Sequence, residues 1–460
     1  MVMSAAATSG AVSPERAWWQ GNSRYQWMVF AIAGGAWLFD NLDQRLFSLA
    51  RISALSGLLG LPPGDLTVQG FGKIVTALFL IGWGVGGLVI GAMGDRYGRV
   101  RMLSVSILIY AIGTGATALS QTADQFLVLR VITGFGIGGV FGLAVAIIAE
   151  NFSGNTRVAM LAGLQVLSVV GNISAALTKM GVDRLAADGA IAQSDVWRWL
   201  FAIGTLPIVF AAAAMLFLRE SESWLKLKRD GQLPVGPLGS YRILLADRLE
   251  RRNLIVGSAL ALGGVMGLWA IGEYATDLQD AVFTAHFAAL VPQSQVKQQV
   301  AEAKNLAYLL QMIGAAMGML LFTWAANRFG RRPAFMVGFA AAGVVTALVY
   351  GRLETPADAY WMIPLMGVAQ FSVFAGFSIY LPELFSARVR GTGVSFCYNI
   401  GRFAAAAGSF ASAALTSKVF AGYPSPLPLR YAAMVMCLVF LIGLVAAWFG
   451  PETRGKALMD

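Results

Sequence analysis

The chain has 460 residues, of which 57% are hydrophobic and 13% charged, whereas soluble domains average about 25% charged. Lys and Arg outnumber Asp and Glu by 34 to 24, for a net charge of +10; the basic residues gather in alternate loops rather than on one surface, which argues against a nucleic-acid partner. Cys397 and Cys437 lie in apolar stretches without ligand spacing, and the single histidine, His286, falls in an expected external loop. Neither a disulfide framework nor a metal centre is expected.

A membrane-crossing helix needs about 20 mostly apolar residues. Twelve such stretches follow one another, near 27–49, 71–93, 102–120, 126–149, 158–180, 199–218, 254–276, 304–326, 334–351, 361–381, 392–416 and 431–449. An all-α membrane protein follows, its backbone polar groups satisfied within each helix. The first 26 residues hold Glu15, Arg16, Trp18, Trp19 and Arg24 but no apolar stretch with a cleavage site, so no signal peptide is expected and the first span is kept. Arg96, Arg99 and Arg101 follow the second span, Lys226, Lys228, Arg229, Arg248, Arg251 and Arg252 separate the sixth from the seventh, and Arg328, Arg331 and Arg332 follow the eighth. These loops share one side, which the positive-inside rule makes cytoplasmic, with both termini there. The expected setting is the cell inner (plasma) membrane, with the protein multi-pass and monomeric.

The first span contains WLFDNLDQRLF at 37–47, although a charge at the bilayer centre costs about 2.5–3.5 kcal/mol on insertion scales. Asp40, Asp43 and Gln44 share a helix face, and Arg45 points about 140° away from Asp40. Arg45 is expected to snorkel to the outer interface or to contact substrate. Asp43 lies about 24 Å along the helix from Trp27; the fourth span runs the other way and brings Arg130 to comparable depth. A carboxylate whose cationic partner comes and goes is a switch; the alternative is a permanent ion pair that fixes packing. In the fifth span Gln165 and Asn172 are seven apart and share a face. With Gln311, Gln370, Trp269, Tyr274 and Tyr398 they would line an aromatic, amide-bearing cavity, or serve as interhelical glue. Arg402 is about ten residues into the eleventh span, hence roughly 15 Å deep, and must face the cavity or a buried partner. Its guanidinium fork suits a carboxylate; the alternative is a salt bridge to Asp40 or Glu273.

The chain repeats itself. Asp95-Arg96-Tyr97-Gly98-Arg99 matches Asn327-Arg328-Phe329-Gly330-Arg331 at an offset of 232, while Glu150 matches Glu383 and Arg157 matches Arg390 at 233. Asp40 plus 233 is Glu273, a second proton site or a polar lining residue of the outer mouth; Arg130 has Ile363 as its counterpart. The organisation read from this repeat is an N-terminal segment 1–26, a six-helix half 27–218, a linker 219–252 carrying short amphipathic helices, a second half 253–450 and a tail 451–460. Repeated halves around a midplane site are a device of secondary transporters.

GAMGDRYGRVR (91–101) resembles the signature loop of the major facilitator superfamily, and TWAANRFGRR (323–332) is a degenerate second copy with Thr323 for the Gly and Asn327 for the acid. RESESWL (219–225), YLPELFSARVRGTGV (380–394) and PETRGKAL (451–458) resemble sugar-porter markers; FDNLD (39–43) and NIGRFAA (399–405) resemble the proton-coupled aromatic-acid and organic-anion branch. The resemblance implies the twelve-helix major facilitator fold in two pseudo-symmetric halves. It implies proton loading of Asp43 against Arg130, with Asp40 and Glu273 as further acids. Arg402 falls where organic-anion carriers meet substrate, and Gln165 where sugar porters bind theirs. Gly91, Asp95, Arg96, Gly98, Arg99, Glu150, Arg157, Arg328, Arg331, Glu383 and Arg390, joined by Glu220, Arg388 and Glu452, are expected to form a cytoplasmic gate of salt bridges that close and separate.

The expected function is a symporter importing a small organic solute with protons by alternating access. The solute is a carboxylate, with aromatic acids among the candidates. A sugar or polyol symporter and a proton-driven efflux antiporter are the alternatives, and a non-transporting receptor is the alternative of another class. No Walker loop, metal cluster or nucleophile triad is found, so no enzyme and no cofactor beyond the coupling proton are expected.

Overall fold

The computed structural model describes residues 21–459, apart from the side chains of Glu273, Tyr274, Ser409, Phe410 and Ala413. The first half contains α1 (Arg24–Leu59), α2 (Leu66–Tyr97), α3 (Arg99–Thr117), α4 (Ala123–Asn151), α5 (Gly154–Ala187), α6 (Val196–Ile203) and α7 (Ile208–Phe217). Two short helices follow, α8 (Glu222–Arg229) and α9 (Gly239–Ala246). The second half contains α10 (Arg248–Met266), α11 (Gly272–Ala288), α12 (Gln293–Phe329), α13 (Arg331–Arg352), α14 (Pro356–Leu384), α15 (Arg390–Ala414), α16 (Leu427–Met436) and α17 (Val439–Phe449). No strand occurs among the described residues.

Every predicted apolar stretch is helical, and 10 helical segments are long and apolar enough to cross a membrane. The two expected spans outside that set are α1 and α15. They carry Asp40, Asp43 and Arg45, and Arg402; charge inside α1 and an Ala, Gly and Ser-rich sequence in α15 keep both from being plainly apolar rods. Side chains fix the helix starts. Ser23 and Gln26 form a reciprocal capping box, Asp65 accepts from Thr67 N at 2.7 Å, Thr122 accepts from Gln125 N at 3.2 Å, and Thr355 pairs with Asp358 behind Pro356.

Three departures from the sequence reading concern continuity. The sixth span is broken between α6 and α7, where Pro207 has no N–H to give and the turn closes with i→i+3 bonds from Thr205, Leu206 and Ile208. The seventh span carries a π turn over Gly267–Ile271 and the eleventh ends in another over Leu415–Val419; apolar periodicity has no signature for such a bulge. His286 is not in a loop, because α11 continues past the apolar stretch and places it in the last helical turn.

Within the first half α2, α3 and α4 pack together and α5 covers α1; within the second, α12, α13 and α14 pack together and α10 contacts α15 and α17. The halves meet where α15 lies on α2 and α4, and where α12 and α14 lie on α5. Small residues set the closest approach: a Cβ at Gly86 would strike the Phe135 carbonyl and one at Gly138 would strike the Gly87 amide. Cys397 and Cys437 are buried and free. The end of the bundle that carries the loops around Gly98, Ser153, Gly330 and Ser386 is called the basic face below.

Candidate transport site

Asp43 of α1 and Arg130 of α4 meet as the sequence predicts. Oδ2 and Nη1 are 3.7 Å apart, and both side chains are fully buried. Neither Asp43 oxygen accepts a hydrogen bond among the described residues. Arg130, by contrast, is tied down: Nε and Nη2 donate to Thr117 Oγ1 at 3.1 and 2.7 Å, and Nη2 also reaches Thr133 Oγ1 at 3.0 Å and the Gly113 carbonyl at 3.4 Å. The Phe201 ring covers its Cζ at 4.7 Å. The arrangement is a cation held by several neutral partners beside an acid whose polar neighbours are that cation and the Thr114 hydroxyl. Such an acid can gain or lose a proton without dismantling the cation's own bonds. The sequence reading missed Thr117 and Thr133; the available signals were the GTGAT of the neighbouring helix α3, which ends in Thr117, and the i+3 spacing of Thr133 from Arg130 on α4.

A second pair of charges is closer to the middle. Asp40 is 1% exposed, and neither of its oxygens has a hydrogen-bond partner. Arg402 of α15 is its electrostatic neighbour, yet no ion pair within 4.0 Å joins them. Arg402 instead stacks on Trp83 of α2, with Cζ 3.7 Å from the ring centroid, and on Tyr398 at 4.7 Å, and donates from Nη1 to Asn399 Oδ1 at 3.1 Å. Its Nε has no partner. Tyr398 is stacked on Phe141 at 3.8 Å and lies 6.3 Å from Trp37, with Gln165, itself buried, as a further polar neighbour. Asp40, Arg402, Tyr398 and Gln165 therefore come together from α1, α15 and α5. The aromatic walls Trp37, Trp83 and Phe141 were not singled out in the sequence, where nothing separates a wall from packing. The alternative of a salt bridge from Arg402 to Asp40 is not met, two aromatic faces holding the guanidinium instead.

Arg45 corrects another expectation. It does not snorkel to the surface: its Cζ lies 4.1 Å from the centroid of Tyr308 on α12, whose hydroxyl donates to Asn172 Oδ1 of α5 at 3.4 Å. An aromatic face from the opposite half is within reach, so the cation takes it. Asn172 and Arg45 thus form a contact between halves away from the basic face. Gln370 serves as interhelical glue; its Nε2 donates to Thr346 Oγ1 at 3.0 Å and ties α14 to α13. Gln311 backs Gly367 of α14, and half-buried Trp269 packs on the apolar core within the π turn. The side chains of Glu273 and Tyr274 lie outside the described residues.

On the basic face the two halves are latched. Asp95 accepts from Gly391 N at 3.0 Å, Thr392 N at 2.8 Å and Thr392 Oγ1 at 2.6 Å. Arg99 reaches Asp95 at 3.2 Å, Glu150 at 3.3 Å and the Ala387 carbonyl. Arg390 reaches Glu150 at 2.8 Å and donates to the Met459 carbonyl at 2.7 Å. Gly91 lets α2 touch α15, since a Cβ there would strike Ser395. Gly98 and Gly330 adopt φ of 110° and 109°, where a side chain is strained, and a Cβ on either would run into Glu220 or Glu452. Each of these glutamates accepts from the first amides of the following helix, Arg99, Val100 and Arg101 for Glu220, Arg331 and Arg332 for Glu452. Burial pushes the Glu220 carboxyl up from its ordinary value despite those amides, whereas at Glu452 the amides outweigh burial and hold it below.

Not every predicted gate residue joins the latch. Arg331 grips Glu383 at 2.9 Å within the second half, helped by the Thr453 hydroxyl. Arg157 is buried beside Glu383 but forms no ion pair within 4.0 Å, that acid being already satisfied. Arg96 and Arg328 stand apart, and Arg388 is exposed. Arg96 and Arg328 each lie one residue, about 100° of helix, past the face that Asp95 and Asn327 occupy.

The family described as "Sugar (and other) transporter" matches residues 66–232 and 301–460. The chain belongs to this transporter family. A "Probable 4-methylmuconolactone transporter" of Cupriavidus pinatubonensis is 27% identical, over 96% of this chain and 94% of that protein. The 4-hydroxybenzoate transporter PcaK of Pseudomonas putida is 24% identical, over 85% and 87%. Among solved structures, the major facilitator superfamily proton:xylose symporter XylE bound to 6-bromo-6-deoxy-D-glucose superposes with a TM-score of 0.73, covering 95% of this chain and 98% of that one at 18% identity. The fold is the major facilitator fold, and family and fold are those of transporters rather than enzymes. In this sugar (and other) transporter the signature loop carries the latch, Arg402 of the second half lies against Trp83 of the first, and the Asp43–Arg130 pair is enclosed by residues of the first half.

Proposed function

We propose that the protein is a proton-coupled symporter that imports a small carboxylate, aromatic acids included, by alternating access across the cell inner membrane. In this reading all twelve predicted spans cross, both termini are cytoplasmic, and the latched basic face is the closed cytoplasmic gate. The observation that carries it is the separation of buried charges into a closed pair, Asp43 with Arg130 at 3.7 Å, and Arg402, which forms no ion pair among the described residues and lies between two aromatic faces. A guanidinium with a free edge and aromatic neighbours suits a carboxylate carried on an aromatic or unsaturated body. Asp43 is the proton-loaded acid: neutralised, it releases Arg130 from charge pairing and permits the halves to rock. PcaK and its 4-hydroxybenzoate support the carboxylate, and XylE supports proton coupling.

A sugar or polyol is the second reading. It is favoured by buried Gln165, whose Oε1 has no partner, and by the free Trp37 Nε1–H, which suit hydroxyl groups. Proteoliposomes under an imposed pH gradient, screened with carboxylates and sugars, distinguish the two. Gradient-driven accumulation of an aromatic carboxylate is expected, with Arg402→Ala lowering apparent affinity at least tenfold. Asp43→Asn is expected to abolish uphill accumulation while sparing exchange. Accumulation of sugars alone, or full proton-driven uptake by Asp43→Asn, would sink the respective parts.

A further inference from the structure

The signature loop has a side that faces away from the latch. There a cleft of about 400 Å³ opens between the end of α2, the start of α3 and the surface helix α8, lined by Arg96, Tyr97, Arg101, Trp224 and Lys228 among others. Its three cations lack acidic partners: no ion pair involves Arg96, Arg101 or Lys228 among the described residues. Glu220, beside the loop, is engaged by the backbone amides of Arg99, Val100 and Arg101. Lys228 lies over Trp224, Nζ 5.4 Å from the ring centroid. Trp224 in turn is buried and donates Nε1–H to the Asp95 carbonyl at 3.0 Å. The floor of the cleft is therefore bonded to the residue that latches the halves.

The second half repeats the loop but not the residues that line this cleft. Arg328 repeats Arg96, but at an offset of 232 Arg101 becomes Pro333 and Trp224 becomes Lys456. No helix matching α8 follows Pro451 among the described residues, and Arg332 is spent covering Trp448 at 4.9 Å. Arg101, Trp224 and Lys228 are thus additions to the repeated motif rather than parts of it.

We propose that this cleft binds a phosphate ester at the membrane surface, the headgroup of an anionic phospholipid or a soluble phosphate of the same chemistry. Three converging cations match the charge and acceptor oxygens of a phosphate, and basic residues beside a membrane helix attract anionic headgroups. Tyr97 is 41% exposed at the cleft and Leu225 of α8 is likewise 41% exposed, the mixture of ring, apolar and basic groups suited to headgroup depth. A bound phosphate would bridge Arg96 and Arg101 on the loop to Lys228 on α8, hold Trp224 against the Asp95 carbonyl, and favour the latched state.

The test is native mass spectrometry of the full chain in detergent with phosphatidylglycerol, phosphatidylcholine or glycerol 3-phosphate. One phosphatidylglycerol is expected to be retained at least fivefold above phosphatidylcholine, and Arg96→Gln/Arg101→Gln to reduce it to the phosphatidylcholine level. Lys226→Gln/Arg229→Gln, which removes equal charge from α8 outside the cleft, should leave retention unchanged. Displacement of the lipid by glycerol 3-phosphate would support the phosphate site and assign it to a soluble ligand. Unaltered retention in Arg96→Gln/Arg101→Gln, or equal loss in the α8 control, overturns the proposal. If the double variant does not fold, Lys228→Gln alone should lose two- to threefold.

Discussion

The two copies of the signature loop share one backbone and differ in what they hold. In each, a glycine at φ near 110° turns the chain, a glutamate from over 120 residues later caps the next helix, and an arginine reaches a glutamate of the same half, Arg99 to Glu150 and Arg331 to Glu383. Only the first copy crosses to the other half. Asp95 accepts three hydrogen bonds from the start of α15, whereas Asn327 accepts from Arg331 at 3.3 Å within its own half. The partner positions differ too, Thr392 standing where the first half has Ala159 at the 233 offset. A charged acceptor at a helix N-terminus makes a strong latch. One acid, repeated as an amide, makes a symmetric framework bond asymmetrically.

Asp95→Asn should break that comparison most. Exchanging a charged for a neutral acceptor across three bonds is expected to cost the latched state about 2–3 kcal/mol, roughly a 30- to 150-fold shift in population. Maleimide labelling of a Ser395→Cys probe, which sits between α15 and α2, reads it as faster modification; unchanged labelling would mean the latch lies elsewhere. The capping glutamates should respond less and in opposite senses. Glu452, held below its ordinary value, stabilises the fold as an ion, so Glu452→Gln should lower the melting temperature at pH 7, and the difference should vanish once acid protonates the native carboxyl. Glu220, pushed up by burial, is costly as an ion, so Glu220→Gln should be neutral or slightly stabilising at pH 7. Melting curves of both variants at pH 7 and pH 4 test this order. The smallest effect belongs to Asn327→Asp, which adds a charge with Arg331 beside it but no helix N-terminus from the other half to bind. A change below about 1 kcal/mol is expected, read by the same Ser395→Cys labelling.

Much of the site was legible because its residues are anomalous where they stand. Asp40, Asp43, Arg130 and Arg402 are charges inside apolar stretches, and burial of unneutralised charge is too costly to be incidental. Helix rise and direction put Asp43 and Arg130 at comparable depth, and the family resemblance implied that they face each other. Arg45 failed the same reasoning, because its partner Tyr308 belongs to the other half and has no anomaly to betray it. Gln370 failed for the converse reason: a buried amide looks like a ligand contact until Thr346 is found beside it.

Sequence alone determined the transmembrane character, the repeat and the identity of the buried charges, since these rest on composition, spacing and the cost of placing charge in lipid. Tertiary structure decided which charges pair. A guanidinium takes whichever face or oxygen the packed helices bring within a few ångströms, so Arg402 lies on Trp83 rather than Asp40, and Arg390 on Glu150 while Arg157 waits beside Glu383. Those choices depend on contacts between residues as far apart in the chain as Trp83 and Arg402, and local pattern carries no record of them.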